Sequence, residues 1–500
     1  MFCLASLITT GLSSLARAQN NGQPPTAEST EQKIQKLTTA MAQAQAQMNA
    51  YQIQLQQLQQ QLSDLQQQLA GEKSAHSAAA APPTQALGTP QPSASQQTST
   101  SLDEIRERQA IDESQIATHE QTKVETESKY PLKITGLLLF NAFVNTRQVD
   151  IPSDPTYALN GGGTTGLSLR QTVLGFDARG PRVFGAASDA DLRVDFFASG
   201  SQANYDVNGL LRMRTAHAGL NWDHTRAYVA LDRSVIAPYT PTSLVAVGQP
   251  PLAWSGNLWS WIPQIGVAQT IPMRGSQLKL EAGLVDVPNP PRIGGTATTP
   301  PTAWQAERSR WPGTNARISL AKGVHGEGPA IGLGGYFSPH ETTDGRRFNA
   351  WAGTADLRVP FGSRFEFLAN AYRGEALGGL GAGGYVDYVY EYTSPTSRVL
   401  HPLDDIGGWA QLKFKPRERL EFNGAYGIDN PFVEEIRRSI DTSPSDYAGL
   451  SRNRSVFGNV IYSPSSYLLF SLEYRKLWTN FAAGPTNTSD VIGLGAGYRF

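Results

Sequence analysis

The chain ends in the stretch VIGLGAGYRF, residues 491–500, in which bulky apolar side chains alternate with glycine and arginine. Successive side chains of a β-strand point to opposite faces, so this period-two alternation predicts a strand with one apolar and one polar or bare face. The apolar face would carry Ile492, Leu494, Ala496, Tyr498 and Phe500. A strand of this kind separates two different surroundings.

The same alternation recurs upstream, and about sixteen such segments fit between residues 132 and 500. Clear examples are ADLRVDFFA (190–198), SQLKLEAGLVD (276–286), GWAQLKFK (408–415), LEFNGAYG (420–427) and YLLFSLEYRK (467–476). Short junctions such as 222–225, 272–275, 359–362, 415–418 and 462–466 alternate with long ones near 147–165, 234–261, 287–309, 375–404, 429–449 and 478–488. An even strand number with alternating short and long connections is typical of bacterial transmembrane barrels.

Composition excludes some classes of protein and permits this one. The formal net charge is −1 and 17% of residues are charged, which disfavours a basic nucleic-acid binder. The mean hydropathy is −0.33, and no apolar run reaches the ~18–20 residues of a transmembrane helix. A soluble sandwich or propeller remains an alternative, but no four-strand repeat occurs. We therefore predict an all-β transmembrane antiparallel β-barrel of about sixteen strands over residues 132–500.

The front of the chain has a different periodicity. Residues 55–71 read LQQLQQQLSDLQQQLAG, and apolar residues return every three or four places from Ile34 onward. Such a narrow seam predicts an α-helical coiled coil within residues 19–71, followed by the barrel. The seam has no partner helix within the chain, so it indicates a homo-oligomer. The candidate oligomerisation residues are Leu55, Leu58, Leu62, Leu65 and Leu69.

Three further segments complete the predicted organisation. Residues 1–18 are mostly apolar and end in Ala16-Arg17-Ala18, which predicts a secretory signal peptide that would remove the only cysteine, Cys3. Residues 72–100 are rich in Pro, Ala, Ser and Gln and predict a disordered linker. Residues 101–131 predict a short helix and an extended lead-in to the barrel.

The chain resembles the trimeric outer-membrane porins of Gram-negative bacteria that carry an N-terminal coiled coil. Its end, Tyr498-Arg499-Phe500, is similar to the terminal signature that the barrel assembly machinery reads as an assembly signal through Tyr498 and Phe500. The stretch VLGFDARGP (173–181) resembles a second-strand motif of porins, with Val173 where those porins often have arginine. The DcaP-like porins and the phosphate-selective porins O and P are the most similar. The resemblance implies three chains, outer-membrane lipid around the barrel and a periplasmic N-terminal region.

The resemblance also implies a third long loop folded into the pore. By strand count this loop is residues 234–261, and it is unusually apolar for a connection, with Trp254, Trp259 and Trp261 as candidate constriction residues. An exposed loop of this composition would promote aggregation. Burial inside the channel or at a subunit boundary avoids that, whereas the alternative is a surface loop packed on other loops.

If the apolar faces contact lipid, the charged faces line the pore. A charge facing lipid near the bilayer midplane would cost a few kcal/mol, about 2–4 for Arg or Lys. The candidate pore-lining residues are Asp191, Arg193, Asp195, Arg212, Arg214, Lys279, Glu281, Arg317, Asp356, Arg358, Lys413, Glu421, Glu473 and Arg475. They could bias the channel toward anions such as phosphate or carboxylates, or they could be ion pairs of the wall. Strict alternation does not sort Arg212, Arg214 and His217 onto one face.

The sequence therefore predicts a porin for passive diffusion of small hydrophilic solutes, located in the outer membrane of a Gram-negative-type bacterium. The alternative is a barrel that anchors the coiled coil as a tether for a periplasmic partner or peptidoglycan; an adhesin fits less well. The seven histidines show no metal-ligand spacing, and no nucleophile motif or catalytic residues are evident. We predict no enzyme activity, cofactor, metal or nucleic-acid partner.

Overall fold

A computed structural model describes residues 132–198, 209–291, 303–323, 326–394, 396–442 and 449–500. The predicted signal peptide, coiled coil, linker and lead-in (residues 1–131) lie outside the described residues and stay predictions. No helix of the described part is long and apolar enough to cross a membrane.

The described residues form strands with only short helical segments between them. Within the described residues there are two helices, α1 (Gln305–Ser309) and α2 (Val433–Thr442), with 3₁₀ turns at Gly378–Leu380 and Gly383–Tyr385. The strands are β1 (Leu132–Val149), β2 (Ala158–Ser168), β3 (Val173–Val183), β4 (Ala186–Ala198), β5 (Leu210–Asn221), β6 (Thr225–Arg233), β7 (Trp261–Met273), β8 (Ser276–Val285), β9 (Gly313–Lys322), β10 (Ala330–Glu341), β11 (Arg347–Phe361), β12 (Phe365–Glu375), β13 (Tyr388–Ser394), β14 (Ser397–Pro402), β15 (Asp404–Arg417), β16 (Leu420–Pro431), β17 (Leu450–Tyr462), β18 (Leu468–Phe481) and β19 (Asn487–Arg499).

Antiparallel pairing of β1 with β19 closes the sheet into a barrel. Strands β2 and β3 both pair with the same edge of β1, β2 along Asn141–Val149 and β3 along Leu132–Leu137. They therefore act as one long strand interrupted at residues 169–172. Strands β13 and β14 form a separate hairpin. When β2 and β3 are counted as one strand, the described barrel has sixteen strands.

The two faces of the barrel are opposite in character. On β18, Leu472 is 49% exposed on the outside, whereas its neighbour Glu473 is 1% exposed inside. The same alternation holds along the predicted strands around 408–427 and 490–500. A surface that is apolar outside and polar inside is the reverse of a soluble fold and suits a barrel in lipid, where a closed sheet pairs every backbone group.

Short and long connections lie at opposite rims. The short-turn rim has the connections 184–185, 222–224, 274–275, 323–329, 362–364, 418–419 and 463–467, none longer than seven residues. The long-loop rim has the other eight, of which 342–346 and 482–486 have only five residues, so the predicted long connection over 478–488 is short. The prediction of a long connection over 147–165 is wrong, because the glycine-rich stretch 160–166 pairs with β1 and only 150–157 is left as a loop. The long connection from β12 to β15, residues 376–403, contains the β13–β14 hairpin.

Candidate functional site

Residues 234–260 form an inward loop that runs along the inside of the barrel between β6 and β7. The first half of the loop, from residue 236 to residue 244, forms hydrogen bonds with several strands in turn. Thr354 of β11 donates to the Ile236 carbonyl oxygen (3.0 Å), Gln411 of β15 accepts from the Thr242 backbone N–H (2.6 Å), and Asn141 of β1 donates to the Leu244 carbonyl oxygen (3.0 Å). The predicted inward position of this loop is thus found in the structure.

The barrel wall behind this loop is buried and polar; we call it the covered wall. Its inward side chains lie beneath the inward loop and are at most 6% exposed, and they include Asp356, Asn370, Gln411, Asn423, Ser455, Asn459, Glu473 and Arg475. Ser243 of the loop donates to the Glu473 carboxylate (2.5 Å), which is also paired with Arg475 (2.7 Å). Charged and amide side chains of the covered wall therefore hold the inward loop in place.

The break between β2 and β3 supplies another anchor. There the four residues 169–172 face three of β1, which is a one-residue β-bulge, and Gln171 turns fully inside. Its Nε2 donates to the carbonyl oxygens of Ser153 (2.9 Å) and Val245 (2.8 Å), and its Oε1 accepts from the backbone N–H groups of Val247 (2.5 Å) and Gly248 (2.9 Å). Sequence reasoning missed Gln171; the loss of alternation at 169–172 was the available signal.

The tip of the inward loop meets a pair of arginines. Arg212 and Arg214 of β5 both pair with the buried Asp195 of β4, at 2.6 and 3.4 Å, and they donate to the carbonyl oxygens of Gly248 and Val247. Both guanidinium groups also lie over the Trp261 ring, at 5.0 and 4.8 Å. The arginines therefore join two strands, the loop and the first residue of β7.

A second bulge explains why simple alternation could not sort these residues. In the β4–β5 ladder Arg193 faces Thr215 whereas Val194 faces Met213, so Arg214 is an extra residue in β5. The extra residue shifts the alternation by one, which lets Arg212, Arg214 and His217 all face inward. Leu211 and Met213 remain outside, 63% and 56% exposed.

The predicted constriction tryptophans have three different environments. Trp254 is buried in the returning limb and stacks on Tyr385 of the loop after β12, with ring centroids 3.8 Å apart. Trp259 packs edge-on against Trp254 and against Trp261, at 5.8 and 5.5 Å. Trp261, predicted as a residue of the constriction loop, is instead the first residue of β7, because it pairs with Arg233 of β6.

The inward face of β3–β8 is only partly covered; we call it the open wall. His217 lies between two carboxylates, 3.0 Å from Asp191 and 3.0 Å from Asp232. Because ionised carboxylates only accept hydrogen bonds, this arrangement suits a doubly protonated imidazole. Eight charged side chains of the open wall are between 21% and 44% exposed: Asp177, Asp189, Asp191, Arg193, His217, Arg226, Asp232 and Lys279.

The remaining predicted pore residues form two networks. Glu281 accepts from Lys279 and Arg317 (2.7 and 2.9 Å), and Arg317 also pairs with Asp356 (2.8 Å). Nearer the short-turn rim, Arg358 pairs with Glu366 (2.9 Å), and Lys413 lies 3.6 Å from Glu421. With Arg193 paired to Asp177 (2.5 Å), each of the fourteen predicted residues has an ion-pair partner.

A cavity of about 650 Å³ opens on the long-loop side of the inward-loop tip. Its lining combines cations and aromatic rings, since it includes Arg170, Arg212, Trp254 and Trp259, with one carboxylate from Asp150. Burial raises the pKa of Asp150, which favours its neutral form. The chemistry of the lining suits a negatively charged or polar solute.

The loop 150–157 contacts the tip of the inward loop. Asp154 accepts from the backbone N–H of Gln249 at the loop tip (2.7 Å) and is 1% exposed. Burial raises the pKa of Asp154 to about 7, even though the charge of Arg475 acts in the opposite direction. The carboxyl group is therefore placed to titrate near neutral pH.

The other predicted site residues lie elsewhere or outside the described part. Tyr498 and Phe500 are exposed on the outer face at the short-turn rim, and the Phe500 backbone pairs with Gly136 of β1 (2.9 and 3.1 Å). The five coiled-coil leucines lie outside the described residues. Within the described residues, no cluster of three or more His, Cys, Asp or Glu side chains is placed to hold a metal.

No family model and no curated protein matches the sequence. Solved structures do match it. The outer membrane channel DcaP of Acinetobacter baumannii is similar at a TM-score of 0.57 and 15% identity, over 75% of this chain and 99% of that chain. An anion-selective porin from Comamonas acidovorans matches at a TM-score of 0.47 and 11% identity, over 74% and 100% of the two chains. OmpF of Salmonella typhi matches at 0.47 and 10%, over 74% and 98%. The described part of this chain has the fold of an outer-membrane porin.

Proposed function

We propose that this chain is an outer-membrane porin through which small hydrophilic solutes diffuse passively. The observation that carries the proposal is the closed sixteen-stranded barrel, which has an apolar outer face and charged residues inside. Barrels of about 16–18 strands are wide enough to enclose an aqueous channel. The inward loop narrows that channel from one side, and the open wall would line the remaining passage.

Anions are the favoured solutes in this proposal, with phosphate and carboxylates as the class. Support comes from Arg170, Arg212 and Arg214, which converge where the loop tip meets the wall. The buried Asp195 is the carboxylate that Arg212 and Arg214 share, and burial raises the pKa of Asp150, the acid that lines the cavity. One guanidinium group can donate two parallel hydrogen bonds to two oxygens of a carboxylate or phosphate, which suits these solutes.

The test is conductance of the purified full chain in planar bilayers. We expect stepwise ohmic currents, and under a KCl gradient a zero-current potential of the sign for anion preference. The triple variant Asp195→Asn/Arg212→Gln/Arg214→Gln, which also removes the carboxylate that the two arginines share, should lower the anion-to-cation permeability ratio by about threefold to tenfold, as a change of roughly 1 kcal/mol in local potential implies. The matched control is Arg347→Gln, because Arg347 is 80% exposed outside the barrel.

A folded barrel that gives no current would contradict the porin proposal, and cation preference would contradict only the solute class. The predicted trimer, the periplasmic coiled coil and recognition by the barrel assembly machinery belong to the same proposal. Deleting residues 19–100 tests the coiled coil's part. If the coiled coil assembles the chains, the deletion should lower the oligomeric state; if it is a tether, current and oligomer persist while a periplasmic partner is lost.

A further inference from the structure

The outer face of the barrel carries a groove on β10–β16. Its volume is about 570 Å³, and its lining is almost entirely apolar. The floor consists of small outward residues, Ala355, Ala371 and Gly408, which are cross-strand neighbours in one row around the barrel. Bulky residues such as Ile331 and Tyr426 form its sides. A groove of this depth and polarity fits a hydrocarbon chain.

A basic cavity adjoins this groove at the long-loop rim. It has a volume of about 550 Å³ between α2 and the ends of β16–β18, and its lining includes Arg437, Arg438 and Arg452 against Glu434 and Glu435. Arg437 is paired with Glu434 (2.9 Å), so the excess of positive charge comes from the other arginines. Asn430 lines both the cavity and the groove. Its side-chain oxygen accepts from Arg452 Nε (2.5 Å), so a polar end and an apolar trough meet at this residue.

In the part of the chain that the structure describes, two outward arginines here lack a carboxylate partner, whereas three other outward cations have one. Arg347, Arg373 and Lys476 are paired with acids at 2.8, 2.7 and 3.2 Å. Among the described residues, neither Arg452 nor Arg454 of β17 lies within ion-pairing distance of a carboxylate.

The position of Arg454 places its charge beside the apolar groove. It is the cross-strand neighbour of Ile428, a groove residue, and its guanidinium lies 5.8 Å from the ring of Trp478. Its Nε is buried without a hydrogen-bond partner. Tryptophan at this height is typical of the interface between lipid tails and headgroups. A guanidinium facing lipid is costly unless something anionic compensates it.

We propose that this surface binds a phosphorylated lipid of the membrane leaflet on the long-loop side, with acyl chains in the groove and phosphate against Arg452 and Arg454. Headgroup phosphate supplies the missing anion, and guanidinium groups bind phosphate oxygens bidentately. The proposal rests on the proposed function, because it requires this barrel to stand in a membrane. A second copy of the chain seated on the same surface is the competing occupant.

The experiment is native mass spectrometry of the full chain in uncharged detergent, with added lipid A that carries two phosphates. We expect retained lipid adducts and about tenfold weaker binding for Arg452→Gln/Arg454→Gln, a change typical of losing charge-assisted hydrogen bonds. Arg347→Gln, an outward arginine distant from the groove, should bind like the unmodified chain. Ala371→Leu should also weaken binding, because it fills the groove floor.

A second arm keeps the test independent of variant folding. Unmodified protein is titrated with lipid A stripped of both phosphates, and binding should fall by a similar factor. Equal binding of the stripped lipid, or equal binding by the double variant, would overturn the proposal. Loss of the oligomer in the double variant would overturn it too and would assign the surface to a contact between copies. Bilayer currents recorded on the same samples separate either result from failure of the porin proposal.

Discussion

The covered wall and the open wall are built from the same alternating strands, yet their inward side chains have different surroundings. On the covered wall, the side chains of Glu473 and Arg475 are 2% and 5% exposed and paired with each other. Glu473 also accepts from Ser243 of the inward loop, and Arg475 donates to the Pro155 carbonyl oxygen. On the open wall, Arg193 is 31% exposed although it too has an acidic partner. Ion pairing alone therefore does not separate a structural charge from a channel charge, whereas coverage by the inward loop does.

The difference also tells where each kind of substitution should act. A buried pair cannot lose one member cheaply, because the other charge is left without solvent. A half-exposed pair is screened by water and contributes little to stability. We therefore expect changes on the covered wall to alter folding and loop position, and changes on the open wall to alter which ions pass.

The largest effect is expected for Arg475→Met on the covered wall. It leaves the Glu473 carboxylate buried and uncompensated, which should cost about 3–5 kcal/mol of unfolding free energy. The matched control is Arg193→Met on the open wall, with an expected cost below about 1 kcal/mol. Denaturant unfolding in detergent micelles measures both. Equal losses for the two variants would break the distinction between the walls.

Gln171→Leu should release the loop tip. It removes four hydrogen bonds to the backbone around the inward loop, each with a net contribution of about 0.5–1.5 kcal/mol. We expect higher and noisier single-channel conductance. Gln269→Leu serves as control, because Gln269 of β7 bonds Thr225 and Thr270 instead of the loop. Unchanged conductance in Gln171→Leu would show that the bulge does not hold the loop.

A smaller effect should follow pH at Asp154. Because burial raises the pKa of this acid to about 7 from 3.8, the folded state binds the proton more tightly than the unfolded state. The associated stability is fully present below pH 4 and is lost as the pH rises toward 7. We expect the loop tip to be docked more firmly at pH 5 than at pH 8, seen as fewer current fluctuations at pH 5. Asp154→Asn should flatten this dependence, and a dependence that persists in that variant would assign it to another group.

The smallest effect is expected for Arg193→Gln on the open wall. Removing one half-exposed charge should lower the anion-to-cation permeability ratio by about twofold or less, because water screens it strongly. Unfolding should stay within about 0.5 kcal/mol of the original chain. Reversal potentials measure the first quantity and denaturant titration the second. A large loss of stability with unchanged selectivity would place Arg193 with the covered wall.

Much of the barrel could be predicted because alternation is local. Leu472, Glu473 and their neighbours differ in polarity at every step, and one face must meet lipid. The inward loop was also predictable, since its tryptophans are too apolar for a surface connection. The stretch 160–166 is not predictable in this way, because glycines carry no polarity signal and are as typical of a loop as of the strand that pairs with β1 here.

The parts that failed depend on bulges and long-range pairing. Arg214 is an extra residue in β5 and Gln171 lies at the β2–β3 break, and both interrupt a period that sequence reasoning assumes to be regular. Three of the four hydrogen-bond partners of Gln171 are more than seventy residues away on the inward loop. Contacts over such separations follow from the closed barrel, which is known only once the strands are paired.

The most direct measurement is cysteine accessibility from the pore. With the sole cysteine, Cys3, absent from the mature chain or replaced, Lys279→Cys would report the open wall and Ser455→Cys the covered wall. A charged methanethiosulfonate reagent added during bilayer recording should reduce the current of Lys279→Cys within minutes and leave Ser455→Cys unchanged. Equal modification of both thiols, or modification of Ser455→Cys alone, would contradict a passage bounded by the open wall and the inward loop.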